Sequence, residues 1–174
     1  MKKALLIFAL FVTAHNLKAQ TASEAISATV KIFFEGMHAR DTLKIKSVCD
    51  KDLILKSVYI KADKSTTVKN EEFQFFLKSV MSIPESITFE ERLLDIKVQN
   101  DELVATAFTP YEFYLNQKIS HKGTNIFILG KIDGTWKILG ITDSRIKWFL
   151  VRKKADLYKI LYFYLIIKIS HFQK

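Results

Sequence analysis

The sequence predicts an α+β fold in which N-terminal helices pack against a mostly antiparallel sheet, and three observations point to it. An apolar stripe at helical spacing occupies the region after residue 22. A second, shorter stripe follows near residue 73, and from residue 87 onward the chain turns to β-branched and aromatic runs separated by turn residues. Helices gathered ahead of an antiparallel meander make a layer of helix on sheet, with the sheet wrapping over the helices.

The elements follow in order. Ser23 can cap a helix in which Ile26, Val30, Phe33, Phe34 and Met37 recur at three- and four-residue steps, leaving Glu24, Lys31 and Glu35 on other faces. Arg40, Asp41 and Thr42 break it, and a short helix runs through Val48. Asp52 to Ile60 alternates as a strand, Ala62 to Lys69 reads as a polar loop, and Asn70 caps a helix whose stripe is Phe73, Phe76, Leu77 and Val80. Pro84 stops that helix. Ile87 to Val98 reads as one long strand, Asn100-Asp101 as a hairpin turn, and Leu103 as the start of the meander. Asn116-Gln117 and Asp133-Gly134 mark its turns, and Trp136 and Ile138 belong to its core.

The hairpin poses a problem of parity. Leu103, Ala105, Ala107, Tyr111 and Phe113 form one apolar set; Ile119, His121, Asn125, Phe127 and Leu129 form the other. A regular two-residue turn at Asn116-Gln117 would put these sets on opposite faces. An irregularity is therefore expected, at a three-residue loop or at a bulge near Pro110 or Gly123, bringing Tyr111, His121 and Asn125 to the helix side. With a regular hairpin, Glu112 and Tyr114 would sit beside His121 instead.

Charge narrows the function. The formal net charge is +9, yet residues 1 to 19 carry three lysines and no acid, and residues 147 to 174 carry seven basic groups against Asp156. Residues 20 to 146 hold 17 basic and 17 acidic side chains, so the domain offers no basic face for nucleic acid. Lys2 and Lys3 ahead of the apolar run Ala4 to Val12 have the form of a secretory signal, residues 1–19, cut after Ala19 or Ala14; export to the periplasm or the exterior is expected. With Cys49 alone, no internal disulfide is possible, and its setting suits a buried structural thiol. The domain spans 20–146. Residues 147–174 form a basic and apolar extension that could lie on an anionic membrane surface, cover a partner subunit, or be an accidental extension of the kind AT-rich sequence encodes, the reading its composition favours.

Taken together, the segment from about Ala22 to Arg145 resembles the nuclear transport factor 2-like superfamily, in particular its exported bacterial members, the SnoaL-like or putative lumazine-binding proteins. The resemblance rests on the element order and on four fragments: Phe33-Phe34-Glu35-Gly36-Met37 with Arg40-Asp41, Thr109 to Leu115, Ser120 to Phe127, and Gly134 to Ile138. It implies a conical fold, a strongly curved sheet closed on one side by helices, a pocket between them, and dimers through the outer sheet face.

Within such a pocket, Tyr111, His121, Asn125, Phe127, Phe34 and Met37 are the candidate ligand-binding residues. His121 could hydrogen-bond a ligand or move a proton near neutral pH, or it could be a structural histidine satisfied by Glu112 or a carbonyl. Asn125 could orient a polar ligand through its amide or satisfy a neighbouring strand. Arg92, Asp143 and Arg145 could bring charge to the mouth or form surface ion pairs. The candidate catalytic set is His121, Glu112 and Asp143, though none matches with assurance the inward carboxylate that enzymes of this superfamily use as a base. No metal-ligand spacing and no glycine-rich phosphate loop is present, so neither metal nor cofactor is expected. The function expected is binding of a small, partly apolar ligand by an exported homodimer. The alternatives are a small isomerase or lyase using His121, and a scaffold that binds protein through its sheet face.

Overall fold

The computed structural model describes residues 21 to 147 apart from residue 62; the expected signal over residues 1–19 and, beyond Lys147, the C-terminal extension lie outside the described residues. Helix α1 spans Ala22–Ala39 and buries Ile26, Val30, Phe33, Phe34 and Met37. Its cap is Thr21 rather than Ser23. Thr21 and Glu24 form a reciprocal capping box, each side chain taking the other's backbone N–H, whereas Ser23 donates to Asn100 Oδ1 at 3.3 Å. The helix ends at Arg40, in the left-handed region at φ 57°. Arg40 then ties the far loop down: its guanidinium donates to the carbonyls of Ile83, Pro84 and Ile87 and lies over the Phe89 ring. Asp41 caps helix α2, Thr42–Val48.

Strand β1, Cys49–Ile60, leads to β2, Thr66–Glu71, which pairs with it antiparallel. A strand thus replaces the second half of the expected polar loop. As the sheet's edge it needs no apolar alternation, and Thr66, Thr67 and Val68 are β-branched. Asn70 consequently sits in the ladder opposite Lys56, and helix α3, Phe73–Met81, starts behind Glu72 without a side-chain cap.

The expected single strand over Ile87 to Val98 is two: β3, Phe89–Leu93, and β4, Lys97–Asn100, both paired to β5, Val104–Leu115. The break has a cause in β5. It falls opposite Thr109 and Pro110, and proline has no N–H to offer the ladder. Strands β6, Lys118–Ile132, and β7, Thr135–Lys147, complete a curved, unclosed sheet of order β2-β1-β7-β6-β5-β3, with β4 also on β5 and β1 parallel to β7. Its turns, Asn116-Gln117 and Asp133-Gly134, have positive φ at both residues, the geometry that matches strand twist.

The parity problem is solved three residues past the first of these turns. Leu115 opposes Lys118 and Tyr114 opposes Ile119, but Phe113 opposes His121, so Ser120 is the extra residue. The irregularity is therefore at Ser120, not at Pro110 or Gly123, which pair in register with Thr124 and Tyr111. Its effect is the expected one: Tyr111, His121 and Asn125 share a face with Phe127 and Leu129. Leu103, by contrast, lies outside β5 and is 66% exposed.

The core lies between α1 and this concave face. Ala105 and Ala107 are small and buried, and Phe127 meets Phe33 and Phe34 edge-on at 5.9 and 5.8 Å. Trp136, Ile138 and Cys49 are buried with them, and burial pushes the Cys49 thiol up to about 12, as suits an inert structural cysteine.

Candidate functional site

Beyond the apolar core, the same inward phase of each strand turns polar. On β7 the series Ile138, Ile141 gives way to Asp143 and Arg145; on β1, Leu53 and Leu55 give way to Ser57; on β6, Phe127 gives way to Asn125; and on β3, Glu91 lies between Phe89 and Leu93. These side chains meet at a hollow of about 80 Å³ whose apolar wall is Phe33, Phe34, Met37 and Phe76 and whose polar wall includes Ser57, Glu91, Asn125, Asp143 and Arg145. A wider cleft of about 410 Å³ shares Ser57, Glu71 and Arg145 with it and continues past Tyr59, Lys69, His121 and Lys147. The sheet thus overhangs the helices, and its exposed end forms an antechamber to the hollow.

Asp143 organises the polar wall. It is buried, and it accepts from Ser57 Oγ on one oxygen and from Arg145 Nε at 2.6 Å on the other. The buried Tyr111 hydroxyl reaches the same oxygen at 3.4 Å and donates more closely, at 3.1 Å, to the Ser144 carbonyl. Burial, with Glu91 and Asp143 nearby, pushes the Tyr111 phenol well above its ordinary range, so it serves as a donor. Gly123 makes room for the ring. A Cβ there would lie 1.8 Å from the Ser144 oxygen and 2.7 Å from the Tyr111 hydroxyl.

Glu91 is the second centre. Its backbone N–H donates to His38 Nε2 at 2.9 Å, and its Oε1 accepts from Asn125 Nδ2 at 2.7 Å. Burial pushes its carboxyl up to about 7; the Asn125 hydrogen bond works against that rise, Asp143's charge adds to it, and Arg145's charge opposes it. A carboxyl titrating near neutrality in a cleft, beside an amide, can donate, accept or transfer a proton.

The candidates read from sequence are placed as follows. Phe34, Met37, Asn125, Phe127 and Asp143 line the hollow. Tyr111 supports it from beneath. His121 lines the antechamber, stacked on Phe113 at 4.8 Å and edge-on to Tyr111 at 5.8 Å. Burial and the charge of Arg145 hold its imidazole below the ordinary value, against the pull of Asp143. The structure does not bring Glu112 to His121. Glu112 has the opposite parity, pairs with Lys122 at 2.5 Å and accepts from Tyr114 at 2.8 Å. Arg92 likewise bonds Glu90 and covers the Tyr114 ring, away from the hollow.

Glu91, Ser57 and His38 are additions that the sequence reading does not include. The signal for Glu91 is present in the chain: Ile87, Phe89 and Leu93 set an inward phase, and Glu91 is a charge within it. Among the described residues, no group of three or more His, Cys, Asp or Glu side chains is placed to hold a metal ion.

A hollow between helices and a curved sheet, entered at the sheet's polar end, is the build of the nuclear transport factor 2-like superfamily. A family model described as putative lumazine-binding matches residues 21–142, and the chain belongs to that family. No curated protein matches it in sequence. Among solved structures it is similar to a nuclear transport factor 2-like protein of Cytophaga hutchinsonii, with TM-score 0.56 and 12% identity over 72% of this chain and 99% of that one. One from Pseudomonas putida, of unknown function, gives TM-score 0.57 and 11% identity over 72% and 89%. A putative dehydratase of the same superfamily from Streptomyces avermitilis gives 0.51 and 12% over 71% and 95%. At these identities the likeness concerns the fold.

Proposed function

We propose that the protein binds a small, partly apolar molecule in the hollow and its antechamber. The observation that carries this reading is the pairing of Glu91 with Asn125 on an open cavity wall opposite Phe33, Phe34 and Phe76. A fold built only for stability gains nothing by keeping a carboxyl near its core when an apolar side chain would close the gap. Concave, mostly apolar sites with a few convergent polar groups are the usual form of ligand pockets. The family's description makes lumazine, a fluorescent bicyclic heterocycle, the first compound to try. The test is a fluorescence titration of lumazine against the wild type and Asn125→Leu. Saturable binding of one molecule per chain, lost in the variant, supports the reading; binding of equal strength in both contradicts it.

A second reading, a small isomerase or lyase, draws on Glu91, whose carboxyl titrates near neutrality, and on a superfamily that includes the Streptomyces protein described as a putative dehydratase. In it Glu91 replaces the His121 and Glu112 pair as the proton-transfer group, with His121 left to line the entrance. Turnover of an enolisable carbonyl compound, abolished by Glu91→Gln and retained in His121→Ala, would separate it from simple binding.

Export is part of the proposal and rests on the leader-like residues 1–19. So is a homodimer through the outer sheet face, where Val104, Phe108, Ile126 and Ile128 stand 39 to 51% exposed on one side of β5 and β6. Sedimentation of the mature chain as a dimer, and of Ile128→Lys as a monomer, is the expected result.

A further inference from the structure

Beside the Arg145 Nη and Lys56 Nζ donors that also line the hollow, the Glu91–Asn125 pair offers two uncommitted atoms of its own among the described residues. Asn125 Nδ2 is spent on Glu91 Oε1, and among the described residues Asn125 Oδ1 and Glu91 Oε2 have no hydrogen-bond partner. Among the described residues, no fully buried side-chain nitrogen or oxygen lacks a partner, so both atoms reach accessible space, and the space these residues line is the hollow. Asp143 is different: both of its oxygens are already taken, by Ser57 on one side and by Arg145 and Tyr111 on the other. The acceptor left for a ligand N–H and the carboxyl oxygen left for a ligand carbonyl are therefore those of Asn125 and Glu91, not those of Asp143.

Resting on the binding reading above, we infer that the hollow recognises an uncharged ligand edge carrying an acceptor beside a donor, as in a cyclic amide, imide or ureide. The Glu91 carboxyl donates its proton to the ligand's carbonyl, and Asn125 Oδ1 accepts the ligand's N–H. Size agrees with an edge-first fit. A hollow of about 80 Å³ takes the leading edge of a ring, and the 410 Å³ antechamber takes the rest, against Tyr59 and His121; sites that enclose whole drug-sized ligands measure about 300–1,000 Å³.

The fit depends on the proton. Charged and titratable groups around Glu91 are Asp143 and Arg145 on β7, Tyr111 on β5, Glu71 on β2, Lys56 on β1 and His38 on α1. His38 accepts the Glu91 backbone N–H through Nε2 and is held below its ordinary value chiefly by burial, against the pull of Glu90. Loss of the Glu91 proton turns the donor into an acceptor that repels a carbonyl.

The experiment measures fluorescence binding of lumazine and of 1,3-dimethyllumazine, whose ring N–H groups are methylated, to the wild type and to Glu91→Gln between about pH 6 and pH 8.5. The amide of the variant is a permanent donor. Wild-type affinity for lumazine should exceed that for the dimethyl compound by about tenfold or more at the lower pH, a buried donor and acceptor left unmatched being costly. Relative to Glu91→Gln, which shares the ligand's own titration, wild-type affinity should fall by about 30-fold across the range if the ionised form does not bind. Equal binding of both compounds by the wild type, or the same pH slope in both proteins, overturns the inference while leaving a ligand pocket in place. Binding of neither compound overturns the inference and the lumazine-type reading together.

Discussion

Replacing Glu91 by Gln should stabilise this protein at alkaline pH and leave it unchanged in acid. Glu91 loses its proton near 4.5 in the unfolded chain and near 7 in the fold, where burial penalises the charge. Below about 4.5 the carboxyl is protonated in both states and the fold bears no penalty. Between the two values the unfolded chain ionises first, and stability falls with rising pH. Above about 7 the full difference, about 3 kcal/mol, has been lost. Gln preserves the volume, keeps an acceptor for Asn125 Nδ2, and does not ionise. Urea unfolding should therefore give equal stabilities for the two proteins at about pH 4.5, and an advantage for Glu91→Gln of about 3 kcal/mol at about pH 8. In a domain of this size that is a rise in Tm on the order of 10 °C. An advantage that is the same at both pH values, or a variant less stable at pH 8, would refute the claim that Glu91 holds its proton near neutrality.

Other perturbations probe the same account. Asp143→Asn removes a negative charge that raises Glu91, so the Glu91 titration followed by carbon NMR should move down from about 7 toward 4.5; an unmoved midpoint would mean the two groups are uncoupled. Gly123→Ala puts a methyl against the Ser144 carbonyl and the Tyr111 hydroxyl and should cost about 3 kcal/mol or more in denaturant unfolding, since the neighbour at 1.8 Å is backbone and cannot swing aside. Arg40→Ala strips a charged fork from the carbonyls of Ile83, Pro84 and Ile87 and should cost about 2–4 kcal/mol, with Arg40→Lys recovering little because an ammonium cannot span three acceptors in that plane.

Much of the fold was legible because it is written in periodicity. The stripe from Ile26 to Met37 admits one buried face, and the turns at Asn116-Gln117 and Asp133-Gly134 carry residues that tolerate positive φ. The edge strand β2 was illegible, since a strand with solvent on most sides need not alternate. Parity demanded an extra residue in the β5–β6 hairpin but did not say where. Its place at Ser120 accompanies the stacking of His121 on Phe113, a tertiary contact. The hollow's apolar wall was legible at Phe34, Met37 and Phe127. Its polar centre was not, because His121 pointed to Glu112, its near neighbour across the hairpin, whose parity turns it outward. Glu91 lay one strand further away and carried the better signal, a lone carboxylate on an otherwise apolar face.

The most direct test of the central claim is a nitrogen-edited NMR titration of the protein with lumazine. The account predicts that the Asn125 side-chain amide and the backbone amides of Glu91, Phe127 and Asp143 shift together and saturate, while Thr106, Ile126 and Thr142 on the outer face stay in place. Shifts confined to the outer face, or saturable binding that leaves the Asn125 amide unmoved, would contradict it.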